Sequence, residues 1–434
     1  MQDHPVLAHV ALGYSPMIDR QRAVVATRLS VLPESSDAAP DPAALLAALA
    51  EVWPDNNDSA DAPLSLALSP RPLTGAAAQP GTPVRRIGEA GRAHPPVSLN
   101  LAGEALLRET LRSAAGRDLM IEVPAFMVGD PAQIPALREL QAAGTVLLIK
   151  GRPLTPLPPE VLALFSHSIV EAGDDRRSAA PAPTERRVST VQAGARTSAE
   201  IEAAFARGAV AVLGWPLDDD APRPSGRAAV ASDVNVVMEL IQGVNRELPV
   251  GKLEDILRRD PTVAFRLMRY LNSAAFGFSS EVSSLSHAIM LLGYQKLKRW
   301  LTVLLASAAK GVNAQPLIYA AVRRGLLMEE LAREQGDVEM RSEMFMCGVF
   351  SLLDRLLQQS FSELVKSVPL PDRVQQSLLG DGPYEPYLEL VRAIEQESLY
   401  DVRDITQRLL LSPKAVNRAV LTALHSARQL DTSR

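Results

Sequence analysis

Two periodicities divide the chain. Up to about residue 217 the apolar residues come in short runs bounded by glycine, proline and polar residues, at 9–17, 23–31, 63–70, 97–102, 118–123, 144–150, 167–173, 186–194 and 209–215. Runs of this length with turn residues on both sides predict strands. Between them lie alanine- and leucine-rich segments with helical spacing, at 41–53, 102–116, 130–144 and 197–209. Strand and helix alternating over this length predict a parallel α/β sheet, and the number of repeats suits a closed barrel. The proline- and arginine-containing tracts 70–96 and 174–186 read as long loops.

Beyond the turn-rich stretch DDDAPRPSGRA (218–228) the period becomes helical almost everywhere. Val236, Val237, Leu240, Ile241 and Val244 form one stripe, and Val263, Ala264, Leu267, Met268 and Leu271 form another. Asp260 followed by Pro261 marks a helix start, with a side-chain acceptor before a residue whose missing N–H costs nothing in the first turn. Gly293 marks a break between SLSHAIMLLG and YQKLKRWLTVLLASAAK. The expected organisation is a barrel over 1–217, a linker over 218–230 and an all-helical domain with a C-terminal helical extension over 231–434.

Composition narrows the chemistry. A chain of 434 residues with 47% hydrophobic content supports two or three packed cores. A formal net charge of −5 gives no global attraction to nucleic acid or to an anionic membrane, and no window approaches the run of roughly 20 apolar residues that spans a bilayer. The N-terminal residues lack a basic region followed by a long apolar core, so a cytoplasmic protein without membrane insertion is expected. The single cysteine, Cys347, lies among apolar neighbours and reads as a buried thiol.

The stretch RDPTVAFRLMRYLNSAAFGFSSEVSSLSHAIMLLGYQKLKRWL (259–301) resembles the HDOD domain, a helical relative of the HD metal-dependent phosphohydrolases. The first half resembles an EAL domain, the barrel that hydrolyses cyclic di-GMP with two divalent metals. Together these imply a degenerate EAL-type (β/α) barrel followed by a helical HDOD bundle, a two-domain signalling architecture. In DRQRAVVATRLSV the position of the signature glutamate resembles Arg28, a charge reversal at a metal ligand. VSLNLAGEALL keeps Asn100 at the family asparagine, and LMIEVPAF keeps Glu122 at a family glutamate. IKGR (149–152) stands where the family carries paired aspartates. STVQAGART has Ala193 in place of a carboxylate, and LGWPL keeps Gly214 and Trp215.

The helical half shows the same losses. MFMCGVFSLLDRLL resembles the helix bearing the His-Asp pair, but the pair reads Ser351-Leu352, and YAAVRRGLLMEELA carries no histidine. His287 has no second ligand at helical spacing and reads as a satisfied structural histidine. Lys296, Lys298 and Arg299 read as a solvated face, and Phe276 and Phe278 as aromatics pinning a turn to the core.

The expected function is therefore a signal-transduction adaptor that is not an enzyme and holds no metal or other cofactor. It would act through protein contacts of its HDOD domain on partners the sequence does not identify. The alternative is a non-hydrolysing cyclic di-GMP receptor in which Asn100 and Glu122 are the surviving ligand-binding positions, although hydrogen bonding to neighbouring loops is their simpler role. A residual phosphodiesterase is the remote alternative.

Overall fold

A computed structural model describes residues 4–34, 40–52, 97–113, 119–153, 156–173, 188–219, 232–271, 284–307, 314–357, 361, 364 and 370–431. Two compact units emerge from these residues. One combines the described residues up to Asp219 with 392–421, and the other contains the described residues of 232–391 with 422–431.

The first unit is a closed barrel of eight strands in chain order. They are β1 (Val10–Asp19), β2 (Val24–Pro33), β3 (Val97–Leu101), β4 (Leu119–Pro124), β5 (Val146–Lys150), β6 (Phe165–Glu171), β7 (Ser189–Ala193) and β8 (Ala211–Leu213). Each falls on one of the runs that predicted a strand; the run at 63–70, the loops at 70–96 and 174–186, and residues 220–230 of the expected linker lie outside the described residues. Helices α1 (Pro42–Val52), α2 (Glu104–Ser113), α3 (Ala125–Val128), α4 (Ile134–Ala142), α5 (Pro159–Leu162) and α6 (Ser198–Ala206) separate them. Helix α6 opens on a capping box, in which Thr197 accepts from the Glu200 amide and Glu200 reaches back to the Thr197 amide.

The expectation of a parallel sheet needs one correction. Strands β2 to β8 are parallel, but β1 runs antiparallel to both β2 and β8. The cause is local, because a parallel pair needs a crossover of about a dozen residues or more, whereas only Arg20–Ala23 separate β1 from β2. That turn is held by the Ala23 amide on the Asp19 carboxylate at 2.8 Å and by Arg22 in a left-handed conformation, φ 64°.

The second unit is helical, with α7 (Ser232–Asn245), α8 (Val250–Leu257), α9 (Pro261–Leu271), α10 (Leu285–Ala306), α11 (Ala314–Leu331), α12 (Val338–Phe350), α13 (Leu353–Leu357), α14 (Asp372–Leu378) and most of α15 (Glu385–Glu395). The predicted stripe of α7 is buried, as are Val263, Leu267 and Leu271 of α9. Asp260 caps α9, accepting from the Val263 amide at 3.2 Å. Gly293 breaks α10 with φ 70° and ψ 164°, as the sequence suggested. Cys347 is fully buried.

Helices α11 and α12 cross on glycines. A Cβ built on Gly348 would stand 2.5 Å from the Arg324 carbonyl oxygen and 2.6 Å from the Gly325 nitrogen, both backbone atoms that cannot swing away. Gly348→Ala is therefore expected to force the helices apart and cost about 1–3 kcal/mol, the range for overpacking a dense core. Chemical denaturation followed by circular dichroism checks it, and a midpoint equal to wild type would refute it.

The residues after Glu395 pack differently from the expectation. Helix α16 (Leu399–Arg408) and the first part of α17 (Pro413–Asp431) belong to the barrel unit, not to the helical domain expected over 231–434. Helical periodicity identifies the apolar face of such a helix but not the surface that face will cover.

Candidate functional site

Register decides what faces the barrel interior. Met17, Ala26, Met120, Leu148, Ile169, Val191, Ala193, Ala211 and Leu213 form an apolar cluster from seven of the strands, the floor of the interior. Residues on the same strand face alternate by two, so Arg28 and Ser30 of β2, Ser98 and Asn100 of β3, Glu122 of β4, Lys150 of β5 and Glu171 of β6 stand above that floor. They converge at the C-terminal ends of the parallel strands, where (β/α) barrels carry their functional groups.

Six of these side chains form two hydrogen-bonded sets. Arg28 makes a two-pronged ion pair with Glu122, Nε to Oε1 at 2.9 Å and Nη2 to Oε2 at 2.7 Å. Ser98 donates its hydroxyl to Glu122 Oε1 at 3.1 Å. Asn100 donates from Nδ2 to Ser30 Oγ at 2.8 Å, and its Oδ1 accepts from Lys150 Nζ at 2.7 Å. Arg28, Ser30, Ser98, Asn100 and Glu122 are all buried.

The electrostatics follow from that burial. Burial opposes the charge on Arg28, but the carboxylates of Glu122, Glu397 and Glu171 outweigh it and hold the guanidinium pKa above its ordinary value. Burial pulls the Lys150 pKa down, and repulsion from Arg28 adds to this; the same carboxylates offset both only in part. Two cations and three carboxylates thus meet at the mouth of one barrel.

The paired metals that an EAL resemblance implies do not fit this donor set. Both Glu122 oxygens are engaged by a guanidinium, and the Asn100 oxygen by an ammonium. A divalent cation on either donor would meet a fixed positive charge at close range. Among the described residues no three His, Cys, Asp or Glu side chains are grouped for metal binding.

Arg28, Asn100 and Glu122 lie at the same end of the barrel, Arg28 on Glu122 and Asn100 on Lys150. Ala193 lies apart in the apolar floor, paired with Glu171 in the β6–β7 register. Gly214 and Trp215 follow β8, and Trp215 Nε1 donates to the Tyr14 carbonyl at 3.2 Å while its ring packs edge-on to Tyr14. Sequence reasoning missed Lys150 as a partner of Asn100, and Glu171 and Glu397 as charges facing Arg28. A signal for Lys150 was present, since a lysine ending an otherwise apolar strand must reach an acceptor or solvent.

In the helical unit, Ser351 and Leu352 end α12. Leu352 is buried, while Ser351 Oγ donates to the Gly348 carbonyl at 2.7 Å and accepts from Arg324 Nη1 at 3.1 Å. Burial raises the Asp354 pKa, although Arg355 and Arg324 oppose the shift. An arginine again stands at the positions compared with metal ligands.

Two readings of single residues change. His287 is exposed rather than satisfied in a core, with its backbone N–H capped by Ser284 Oγ at 3.2 Å. Of the three basic residues expected on a solvated face, only Lys296 is exposed. Arg299 pairs with Glu329 at 2.9 Å and lies 4.6 Å from the Phe345 ring centre, and burial lowers the Lys298 pKa. Both positions follow from α10 packing on α12. Phe276 and Phe278 lie outside the described residues.

Comparison with known proteins agrees with the helical half. Residues 230–367 match the HDOD domain. A 165-residue stretch, 37% of the chain, is 34% identical to the uncharacterized protein YuxH of Bacillus subtilis and covers 40% of it. A 188-residue stretch, 40% of the chain, is 27% identical to the cyclic di-GMP phosphodiesterase CdgJ of Vibrio cholerae and covers 44% of it. The chain thus spans less than half the length of these curated relatives. It contains an HDOD domain after a closed eight-stranded barrel, and none of its described helices is long and apolar enough to cross a membrane.

Proposed function

We propose that the protein is a non-catalytic bacterial signalling adaptor, working in the cytoplasm through protein contacts of its HDOD domain, with a barrel of EAL type that no longer hydrolyses cyclic di-GMP. The observation that carries this reading is the Arg28–Glu122 ion pair with Lys150 on Asn100. Phosphodiester hydrolysis of the EAL kind needs metals that polarise the phosphate and generate hydroxide. Here resident cations neutralise the would-be ligands, and a guanidinium or an ammonium supplies neither a coordinated water nor a vacant position for one.

Calorimetric titration of the full chain with cyclic di-GMP tests the role of the barrel. The expected result is no binding heat up to about a hundred micromolar nucleotide, weaker than about −5.5 kcal/mol of binding free energy. Saturable binding without turnover would instead establish the receptor reading, with Asn100 and Glu122 as the first positions to substitute.

A further inference from the structure

The C-terminal segment meets the barrel at an inward-facing position. In the β1–β2 register Gly13 lies opposite Ser30, Ser15 opposite Arg28 and Met17 opposite Ala26. Met17 and Ala26 belong to the apolar floor, so Gly13, four residues from Met17 along β1, faces inward at the level of the polar network. A Cβ built there would stand 2.9 Å from both Glu397 Cγ and the Ile394 carbonyl oxygen, and 3.3 Å from Glu397 Cα. The absence of a side chain at residue 13 is what lets this turn in.

A second attachment lies 20 residues further on. Asn417 of α17 is buried, and its amide is fully used against the barrel's first residues. Oδ1 accepts from the Leu12 N–H at 3.0 Å, and Nδ2 donates to the carbonyls of Leu7 at 2.8 Å and Val10 at 2.6 Å. Glu397 itself adopts φ 56°, a left-handed conformation that costs a non-glycine residue energy and persists only where its surroundings impose it. Its carboxylate acts electrostatically on both Arg28 and Lys150.

We propose that the barrel mouth is a docking site for the chain's own acidic turn, Ile394–Ser398, with Glu397 as the anchoring carboxylate and Asn417 as the clasp. The mouth of such a barrel ordinarily receives a ligand; in this chain the ligand is a peptide carried in cis. The anchor complements the Arg28 and Lys150 cations, and the clasp binds backbone groups next to the residue that makes room for the turn. This goes beyond the loss of hydrolysis, which the ion pair supports without any contribution from 392–421.

Hydrogen exchange of the full chain, read by mass spectrometry, tests the docking. In the wild-type protein the amides of 399–421 should exchange slowly. Gly13→Ala, which pushes on the Ile394 backbone, should speed their exchange about tenfold or more while β3 to β5 keep their protection. Glu397→Gln should speed it severalfold at low ionic strength and less in high salt, because a charge is what it removes. Unchanged exchange over 399–421 in Glu397→Gln, or loss of protection in β3 to β5 together with 399–421, would overturn the proposal. So would saturable cyclic di-GMP binding that leaves exchange at 394–421 untouched, and that outcome would say nothing against the loss of hydrolysis.

Discussion

Replacing Arg28 by methionine is expected to destabilise the barrel unit by about 3–5 kcal/mol, the cost of stripping one partner from a buried ion pair. The change leaves Glu122, among the most buried residues of the chain, with a Ser98 hydroxyl as its remaining partner of those that now hold it. An uncompensated carboxylate in that position must protonate or draw in water, and either route is unfavourable at neutral pH. The double variant Arg28→Met with Glu122→Met removes both charges and should recover most of the loss, because well-packed apolar replacements of buried pairs are often neutral. Urea denaturation at pH 7 provides the readout. A single variant within about 1 kcal/mol of wild type would show that the pair behaves like an exposed one, whose contribution is typically that small.

The floor of the barrel gives the second large effect, and it depends on pH. His167 of β6 pairs in register with Leu148, a member of the apolar floor. It is buried, and its Nδ1 finds no hydrogen-bond partner among the described residues. Burial disfavours the imidazolium and pushes the His167 pKa down from 6.5 to about 4. Between those values the unfolded chain binds a proton that the folded chain does not, so stability falls as pH falls. Each pH unit costs about 1.4 kcal/mol, giving about 3 kcal/mol across the window, with the full contribution restored above pH 6.5. His167→Leu has no such group, so the difference in unfolding free energy between variant and wild type should shift by about that amount from pH 7 to pH 4. Comparing the two proteins cancels other titrations, such as that of Asp354, whose pKa burial raises. A constant difference across the range would mean that the ring is solvated.

Much of this fold was legible because the signals were local. Runs of apolar residues between turn residues located each of the eight described strands, and Asp260 and Gly293 marked a helix start and a helix break from single residues. The antiparallel first strand was legible too, had the four residues between β1 and β2 been weighed as too few for a crossover. The site was half legible. Arg28, Asn100 and Glu122 could be placed because each sits in a recognisable strand, but Lys150 was seen only as a lost aspartate and not as the cation that satisfies Asn100. Glu397 and Asn417 could not be read at all. Their partners, Gly13 and the backbone of Leu7–Leu12, lie at the other end of the chain, 405 and 410 residues before Asn417 for Leu12 and Leu7, and no periodicity reports a contact made across that separation.

On the proposed reading, a single charge reversal at Arg28 would not supply catalysis. Arg28→Glu would set a second carboxylate against Glu122 and so favour a divalent cation there, yet Lys150 would still occupy Asn100 Oδ1. One metal without its partner leaves the attacking and leaving oxygens unsupported.

The proposal that resident cations stand where catalytic metals would be held in this barrel is tested most directly by turnover. Purified full chain should be incubated with cyclic di-GMP and millimolar Mg²⁺ or Mn²⁺, and the linear and mononucleotide products separated and quantified. The expected result is a rate indistinguishable from that without protein, for wild type and for Arg28→Glu alike. Product formation that scales with wild-type protein and disappears in Glu122→Gln would contradict it, because it would place a working metal centre where the structure has an arginine bound to that glutamate.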